Sequence, residues 1–166
     1  DGYSMAEALG HTIKKLRPAL VPLIVQEVQL AKEMQGVTLR NVRLTAYQCL
    51  ADEIDPSLAP LSDVGRGTGH ERASRPVIES RRGNMMLTHF GISGPIALQM
   101  SLAVVDALEK DPVSLSIDLQ PDLSEKQLHQ LLQQDFELHV KRSFKRTVSD
   151  LLPPKMVAPF IVTTGD

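Results

Sequence analysis

Residues alternate between apolar and polar in several stretches of the first two thirds of the chain, which predicts β-strands. In Leu39–Leu50, Val42, Leu44 and Ala46 face one way and Arg43, Thr45 and Tyr47 the other, the pattern of a half-buried strand. A second alternation, at Val113–Leu119, predicts another strand. Strands over Arg75–Arg82 and Met85–Phe90 are predicted to form a hairpin with its turn at Gly83-Asn84.

The N-terminal region combines helical and strand signals. Tyr3–Leu9 suits a short helix that stops at Gly10. Residues 11–25 are rich in β-branched side chains, but Pro18 and Pro22 each remove a backbone donor. The stretch therefore predicts an edge, bulged or bent strand pair.

One helix is predicted between the strands. Ser93-Gly94-Pro95 supplies a cap and a proline with a preset φ at the helix start. Asp111-Pro112 ends it, and four apolar residues at spacings of three and four predict its buried stripe: Leu98, Leu102, Val105 and Leu108.

The chain becomes helical after Pro121. Ser124–Gln127 has the spacing of a capping box, and apolar residues then recur every fourth position from 128 to 152. Each step of four turns a helix by about 400°, so this stripe would wind around one straight helix. We therefore predict a break near Phe136–His139, two packed helices, and a third short helix after Pro153-Pro154.

Residues 52–74 hold prolines, glycines and few large apolar side chains, so they are predicted to form a long flexible surface loop. The stretch Gly65-Arg66-Gly67-Thr68-Gly69 is not a dinucleotide fingerprint, since its third glycine falls one residue early and no buried strand precedes it. Protease should cut this loop first, around Arg66 or Arg72.

Composition restricts the class of protein. The 166 residues carry a net charge of −2, with 42% apolar, 23% charged and 4% aromatic residues, as expected for one globular domain. This balance argues against a general nucleic-acid or membrane-surface binder. The apolar run Ala19–Val25 is too short to cross a membrane, and a single cysteine, Cys49, is consistent with a cytoplasmic location. Because the chain starts at Asp1 without a methionine, we expect a segment of a longer protein.

Metal and serine-hydrolase chemistry have no support in the sequence. The five histidines form no pair at metal-ligand spacing, and no G-x-S-x-G motif is present.

The stretch Leu87–Pro95 carries the strongest chemical signal. A strand delivers Thr88 and His89 into a glycine-rich turn that begins a helix. Such a corner lets backbone approach a ligand, offers a helix N-terminus to an anion, and places an imidazole that titrates near neutral pH. The alternative is a tight strand-to-helix corner in which the backbone satisfies His89.

These residues, LTHFGISGP, resemble the BaiN/YhiN-like family of FAD-dependent NAD(P)H oxidoreductases. The opening DGYSMAEALGH, and the segments LRPALVPL, SIDLQPDL and LLPPKMV, support the resemblance. It implies an α+β fold: a β-barrel of the kind shared by reductases and translation factors, with one inserted helix and a small C-terminal helical bundle. Residues 1–11 would be a helix stub of the parent's nucleotide-binding domain, residues 12–120 the barrel, and residues 121–166 a truncated helical subdomain.

The resemblance also implies a function. The parent protein would pass hydride from NAD(P)H through FAD to a small organic acceptor, and this segment would wall one side of the active site. His89 would be catalytic, and a face toward flavin or substrate would comprise Thr88, Gly91, Ile92, Ser93 and Gly94. The Rossmann FAD domain of the same parent chain would be its partner. The family's G-x-G-x-x-G and closing FAD motif are absent, so this segment alone should be inactive and bind no cofactor. Its truncated helices should self-associate through residues 140–162.

Two other functions remain open. One is a non-enzymatic binding or interaction module built on the barrel, with the 52–74 loop as its contact surface. The other is an RNA-binding barrel, which the acidic balance and scarce aromatics weaken. A local basic patch for RNA could come from six arginines: Arg40, Arg43, Arg72, Arg75, Arg81 and Arg82.

Overall fold

A computed structural model describes residues 1–54, 77–138 and 143–164 of the chain. Most of the predicted 52–74 loop lies outside these described residues. A curled, five-stranded antiparallel sheet has the order β1-β4-β3-β2-β5. The elements are α1 (Gly2–Ala8), β1 (Leu23–Ile24), α2 (Val28–Glu33), β2 (Thr38–Tyr47), β3 (Val77–Thr88), β4 (Gly91–Ser93), α3 (Pro95–Leu108), β5 (Ser114–Asp118), α4 (Glu125–Leu138), α5 (Phe144–Leu151) and α6 (Pro154–Thr164). A mixed fold with a barrel-like sheet is therefore confirmed.

The hydrophobic core lies between the inner face of the sheet and α3. Leu39, Leu44 and Met85 project from β2 and β3 and are buried against Ala97 and Met100 of α3. This contact fixes α3 across the sheet and sets the position of the turn that precedes it.

The predicted turn at Gly83-Asn84 is wrong, because β3 runs unbroken through both residues. Gly83 pairs with Val42 of β2. A Cβ at Gly83 would lie 2.7 Å from Ile96 Cγ2 of α3, so the glycine makes room for the helix. The turn that follows β3 lies instead at His89-Phe90.

The buried face of α3 also differs from the prediction. Leu98, Leu102 and Val105 are only half-buried and Leu108 is exposed. The residues against the sheet are Ile96, Ala97, Met100, Ser101, Val104 and Ala107. The small residues on this face, Ala97, Ser101 and Ala107, let α3 approach the sheet closely. The spacing of the large apolar residues does not predict this face.

Strand β2 is buried on both faces near its C-terminal end, whereas the sequence predicts burial of one face. Its inner-face residues are buried as predicted, but Thr45 on the other face is only 1% exposed and Tyr47 is buried too. The Thr45 and Ser80 hydroxyls form a hydrogen bond of 2.9 Å. Burial raises the pKa of the Tyr47 phenol above its ordinary value.

The segment at 11–25 contributes only β1 to the sheet, because the prolines leave the rest without ladder pairing. An extended strap over residues 11–22 lies along α3 instead. Arg17 contacts both carboxylate oxygens of Asp106 at 2.6 Å, and the Val21 N–H donates to Ser101 Oγ at 3.2 Å. The helix α2 that follows was not predicted.

The C-terminal part contains three helices, as the sequence predicts. The Ser124–Gln127 capping box is present, with the Ser124 N–H donating to Gln127 Oε1 at 2.9 Å. One helix ends at Leu138, the next begins at Phe144, and α6 begins at Pro154. Lys155 Nζ donates to Gln35 O at 2.7 Å and so ties α6 to the end of α2.

A polar cluster ties the sheet to the chain that enters α4. Arg82 donates to Asn41 Oδ1 at 2.8 Å and to Asp122 Oδ2 at 2.5 Å, and Asn41 Nδ2 also donates to Asp122. The hydrogen bonds from Arg82 and Asn41 hold the pKa of the Asp122 carboxyl below its usual value.

No helix in the described part of the chain has the length and apolar character needed to span a bilayer.

Candidate functional site

His89 and Phe90 form the two-residue turn between β3 and β4. Thr88 pairs with Gly91 across the turn, and Thr88 Oγ1 donates to Gly91 O at 3.1 Å. The Phe90 carbonyl accepts from the Val25 N–H at 3.1 Å, which fastens the turn to the end of β1. The turn is therefore held by backbone bonds on two sides.

The His89 side chain is exposed at the tip of this turn. Its ring meets Phe90 edge-to-face, with centroids 4.8 Å apart and an interplanar angle of 82°. Within the described residues, neither imidazole nitrogen has a hydrogen-bond partner. An exposed imidazole in this position can donate or accept a hydrogen bond with a ligand.

The two glycines of the corner are explained by packing within the chain. A Cβ at Gly91 would lie 2.1 Å from the Leu23 carbonyl oxygen, and one at Gly94 would lie 2.9 Å from Met85 Cα. Gly94 also has a φ of 94°, which disfavours other residues, and it is the N-cap of α3. Protein backbone occupies the space beside both glycines, so this corner does not fit a dinucleotide pyrophosphate.

The start of α3 is likewise closed within the described structure. Ala97 is 0% exposed and Ile96 is buried with it, so an anion has no path to their N–H groups. Ile92 is a core residue that faces Leu23 and Leu87. Of the predicted site residues, His89 is exposed, and Thr88 and Ser93 are half-buried.

Strand register adds three residues that the sequence did not indicate. Ile24, Gly91 and Thr88 form one row across β1, β4 and β3. Thr38, Met86 and Ser93 form the next row across β2, β3 and β4. Both rows face away from the core, and together we call the side chains of Ile24, Thr38, Met86, Thr88 and Ser93 the outer patch. The β3–β4 hairpin brings Met86, Thr88 and Ser93 together, and the pairing of distant strands adds Ile24 and Thr38.

Two of the four described arginines of the proposed basic patch are paired with acidic side chains. Arg81 bonds Glu79 at 2.5 Å, and Arg82 is committed to Asn41 and Asp122. Arg72 and Arg75 lie outside the described residues. Arg40 and Arg43 remain without an ion pair in the described part of the chain.

The helical part carries two shallow depressions. One lies on α4 and is lined by apolar Leu132 and Phe136 between polar neighbours. The other lies on the outer side of α5, beside Lys145 and Arg146. Neither includes a residue of the Thr88–Gly94 corner. Among the described residues, no group of three or more histidine, cysteine or acidic side chains could hold a metal ion.

Comparison with known proteins gives matches along most of the chain. The chain is 28% identical over 156 residues to the ribosomal RNA dihydrouridine synthase of Escherichia coli K12, covering 94% of this chain and 30% of that protein. It is 24% identical over 158 residues to the 3-dehydro-bile acid delta(4,6)-reductase of Clostridium scindens, covering 95% of this chain and 32% of that protein. The chain thus spans about a third of the length of the curated relatives that it matches.

The model of a protein family matches residues 71–165, more than half of the chain, and describes an HI0933-like protein barrel and H2TH domain. The match includes the His89 turn, α3 and all three C-terminal helices. The chain therefore belongs to the HI0933-like family of FAD-dependent oxidoreductases related to BaiN and YhiN.

Proposed function

We propose that this chain is the inserted barrel-and-helix domain of a cytoplasmic flavoprotein oxidoreductase and walls one side of its active site. The whole protein would pass hydride from NAD(P)H through FAD to a small organic acceptor. Family membership and a reductase relative support this class of reaction. The observation that carries the role of this domain is the exposed His89 imidazole, which has no hydrogen-bond partner among the described residues and lies at a turn fastened on two sides.

His89 suits a proton-transfer or hydrogen-bonding role because its backbone is rigid while its ring is accessible. The bond from Val25 to the Phe90 carbonyl fixes the turn, and the Phe90 ring limits where the imidazole can swing. Catalytic groups work best when a scaffold positions them to within a fraction of an ångström. Ser93 lies beside the turn and can present its hydroxyl to the same ligand, whereas the Thr88 hydroxyl already donates to the Gly91 carbonyl.

The test is His89→Gln in the full-length protein, with flavin reduction by NAD(P)H and flavin reoxidation by acceptor measured separately. Loss of a general acid–base group should slow one half-reaction by about 10²–10⁴-fold and leave the melting temperature unchanged. His129→Gln, an exposed histidine on α4, is the matched control and should change neither quantity. Wild-type rates in both half-reactions, with a lower melting temperature, would make His89 a structural residue.

The 166-residue chain by itself should bind no flavin. The corner glycines are packed against backbone, so the described residues offer no cradle for the FAD phosphates. Purified chain should therefore be colourless. A yellow preparation with stoichiometric flavin would contradict this expectation.

A second candidate function is contact with RNA, since one relative is named for a reaction on ribosomal RNA. Lys145 and Arg146 are exposed on α5 next to the exposed ring of Phe144, and in the described part of the chain neither cation has a carboxylate partner. Cations with an adjacent aromatic ring suit the phosphates and bases of a single strand. The sequence balance of −2 restricts such binding to a local surface.

Lys145→Glu with Arg146→Glu should abolish salt-dependent binding to a fragment of ribosomal RNA, whereas Lys110→Glu at the end of α3 should not. Equal weakening by both variants would indicate general charge attraction. No RNA binding by the wild-type full-length protein at low salt would remove this candidate and leave a small-molecule acceptor. The interaction module based on the 52–74 loop rests on residues that lie mostly outside the described structure.

A further inference from the structure

The outer face of the sheet changes character along β2 and β3. Midway along β2, Arg43 lies between Arg82 on β3 and Asp118 on β5. At the end next to the His89 turn, the outer patch contains no charged side chain: Ile24, Thr38, Met86, Thr88 and Ser93.

The outer patch also exposes large apolar side chains on a sheet edge. Ile24 is 79% exposed on the edge strand β1, and Met86 is 40% exposed in the middle of the patch. Edge strands that face water normally carry charges, which prevent pairing with other chains. Interface centres are instead depleted of charge and enriched in methionine.

The outer patch contains few polar groups that need hydrogen bonds from water. The Thr88 hydroxyl is already satisfied by the Gly91 carbonyl. A partner that covers the patch would therefore remove no charged group from water, and it would not need to supply an acceptor for the Thr88 hydroxyl. A charged surface such as RNA gains nothing from this patch, since it offers no cation.

We propose that the outer patch is the surface on which the flavin-binding part of the same protein packs. The inference rests on the proposed function, that the chain is one domain of a larger flavoprotein. About two thirds of each curated relative lies outside the region matched by this chain, which is ample for such a partner. The patch is continuous with the His89 turn through Thr88, so a partner that packs there would also lie next to the imidazole.

The test measures how fast single cysteines react with iodoacetamide in the native full-length protein. Ile24→Cys and Met86→Cys are made with the native cysteines replaced, and each rate is divided by that of the unfolded protein. Leu108→Cys, at an apolar site 56% exposed at the end of α3, is the matched control. Flavin content and melting temperature are recorded for each variant.

Packing against the rest of the protein should slow both patch cysteines by about tenfold or more relative to Leu108→Cys, independently of protein concentration. Patch cysteines that react as fast as the control would overturn the proposal. Protection that disappears on dilution would assign the patch to a second copy and also overturn it. Protected patch cysteines in a protein that binds no flavin would refute the proposed function but not the docking. Reactive patch cysteines in a flavin-loaded protein would refute the docking but not the proposed function.

Discussion

Gly91→Ala tests whether the corner glycines serve packing or ligand approach. The added Cβ would lie 2.1 Å from the Leu23 carbonyl oxygen, 2.9 Å from the Val25 nitrogen and 3.2 Å from Ile24 Cα. All three are backbone atoms, so no side-chain rotation relieves the overlap. β1 must move away from β4, or the His89 turn must distort.

The expected cost follows from this geometry. Overpacking a tight contact costs about 1–3 kcal/mol, and a clash with three backbone atoms of residues 23–25 belongs at the upper end, about 3 kcal/mol. For a chain of this size, that lowers the melting temperature by roughly 6–12 °C. Gly94→Ala should act in the same direction, because its Cβ meets Met85 Cα at 2.9 Å and its φ is 94°.

The assay is urea unfolding of the 166-residue chain, followed by circular dichroism at 222 nm, with the free energy of unfolding obtained by linear extrapolation. Gly2→Ala is the control, since nothing lies within 4 Å of its Cβ, and it should change stability by less than about 1 kcal/mol. If Gly91→Ala unfolds with the same free energy as wild type, the packing explanation is wrong. The glycine would then be available for ligand approach.

Three further outcomes follow from the described structure. Met100→Ala should lower the free energy of unfolding by about 2–5 kcal/mol because Met100 is fully buried, whereas Met86→Ala at the surface should cost less than about 1 kcal/mol in calorimetry of the same chain. Asp122→Asn should destabilise the chain at neutral pH. Because the pKa of the Asp122 carboxyl is lowered in the fold, urea titrations should show the difference in free energy of unfolding between variant and wild type shrinking as pH falls below about 4. A difference that persists unchanged at lower pH would exclude the Arg82 pairing as its cause. Absorbance at 295 nm should show one phenol that titrates above pH 10 and that Tyr47→Phe removes. Since burial raises the pKa of Tyr47, the stability contributed by its neutral form is lost as pH rises through that raised pKa. If Tyr47→Phe removes only a phenol that titrates at the ordinary value near pH 10, Tyr47 is solvated.

Features with a local physical cause could be read from the sequence. The Ser124–Gln127 capping box and the helix start at Pro154 each depend on neighbouring residues, and both are present. The break predicted near Phe136–His139 corresponds to the end of α4 at Leu138. The motif around His89 was sufficient for the family, which the match to residues 71–165 confirms. The catalytic role of His89 stays a prediction.

Features that depend on distant contacts could not be read this way. Gly83 looked like a turn residue, but it lies inside a strand because Ile96 of α3 needs the space of its missing side chain. Thr45 looked solvent-facing, yet it is buried and hydrogen-bonded to Ser80 of the neighbouring strand. Neither partner is close to the glycine or the threonine along the chain.

The candidate site divides along the same line. Local sequence placed His89 in a turn before a helix, since glycine, serine and proline at a strand end signal a corner wherever they occur. Only the tertiary structure showed that Gly91 and Gly94 pack against β1 and β3 and that Ile92 belongs to the core. Likewise, Ile24 and Thr38 join Met86, Thr88 and Ser93 on one uncharged surface only because strand register, which long-range hydrogen bonds set, aligns them.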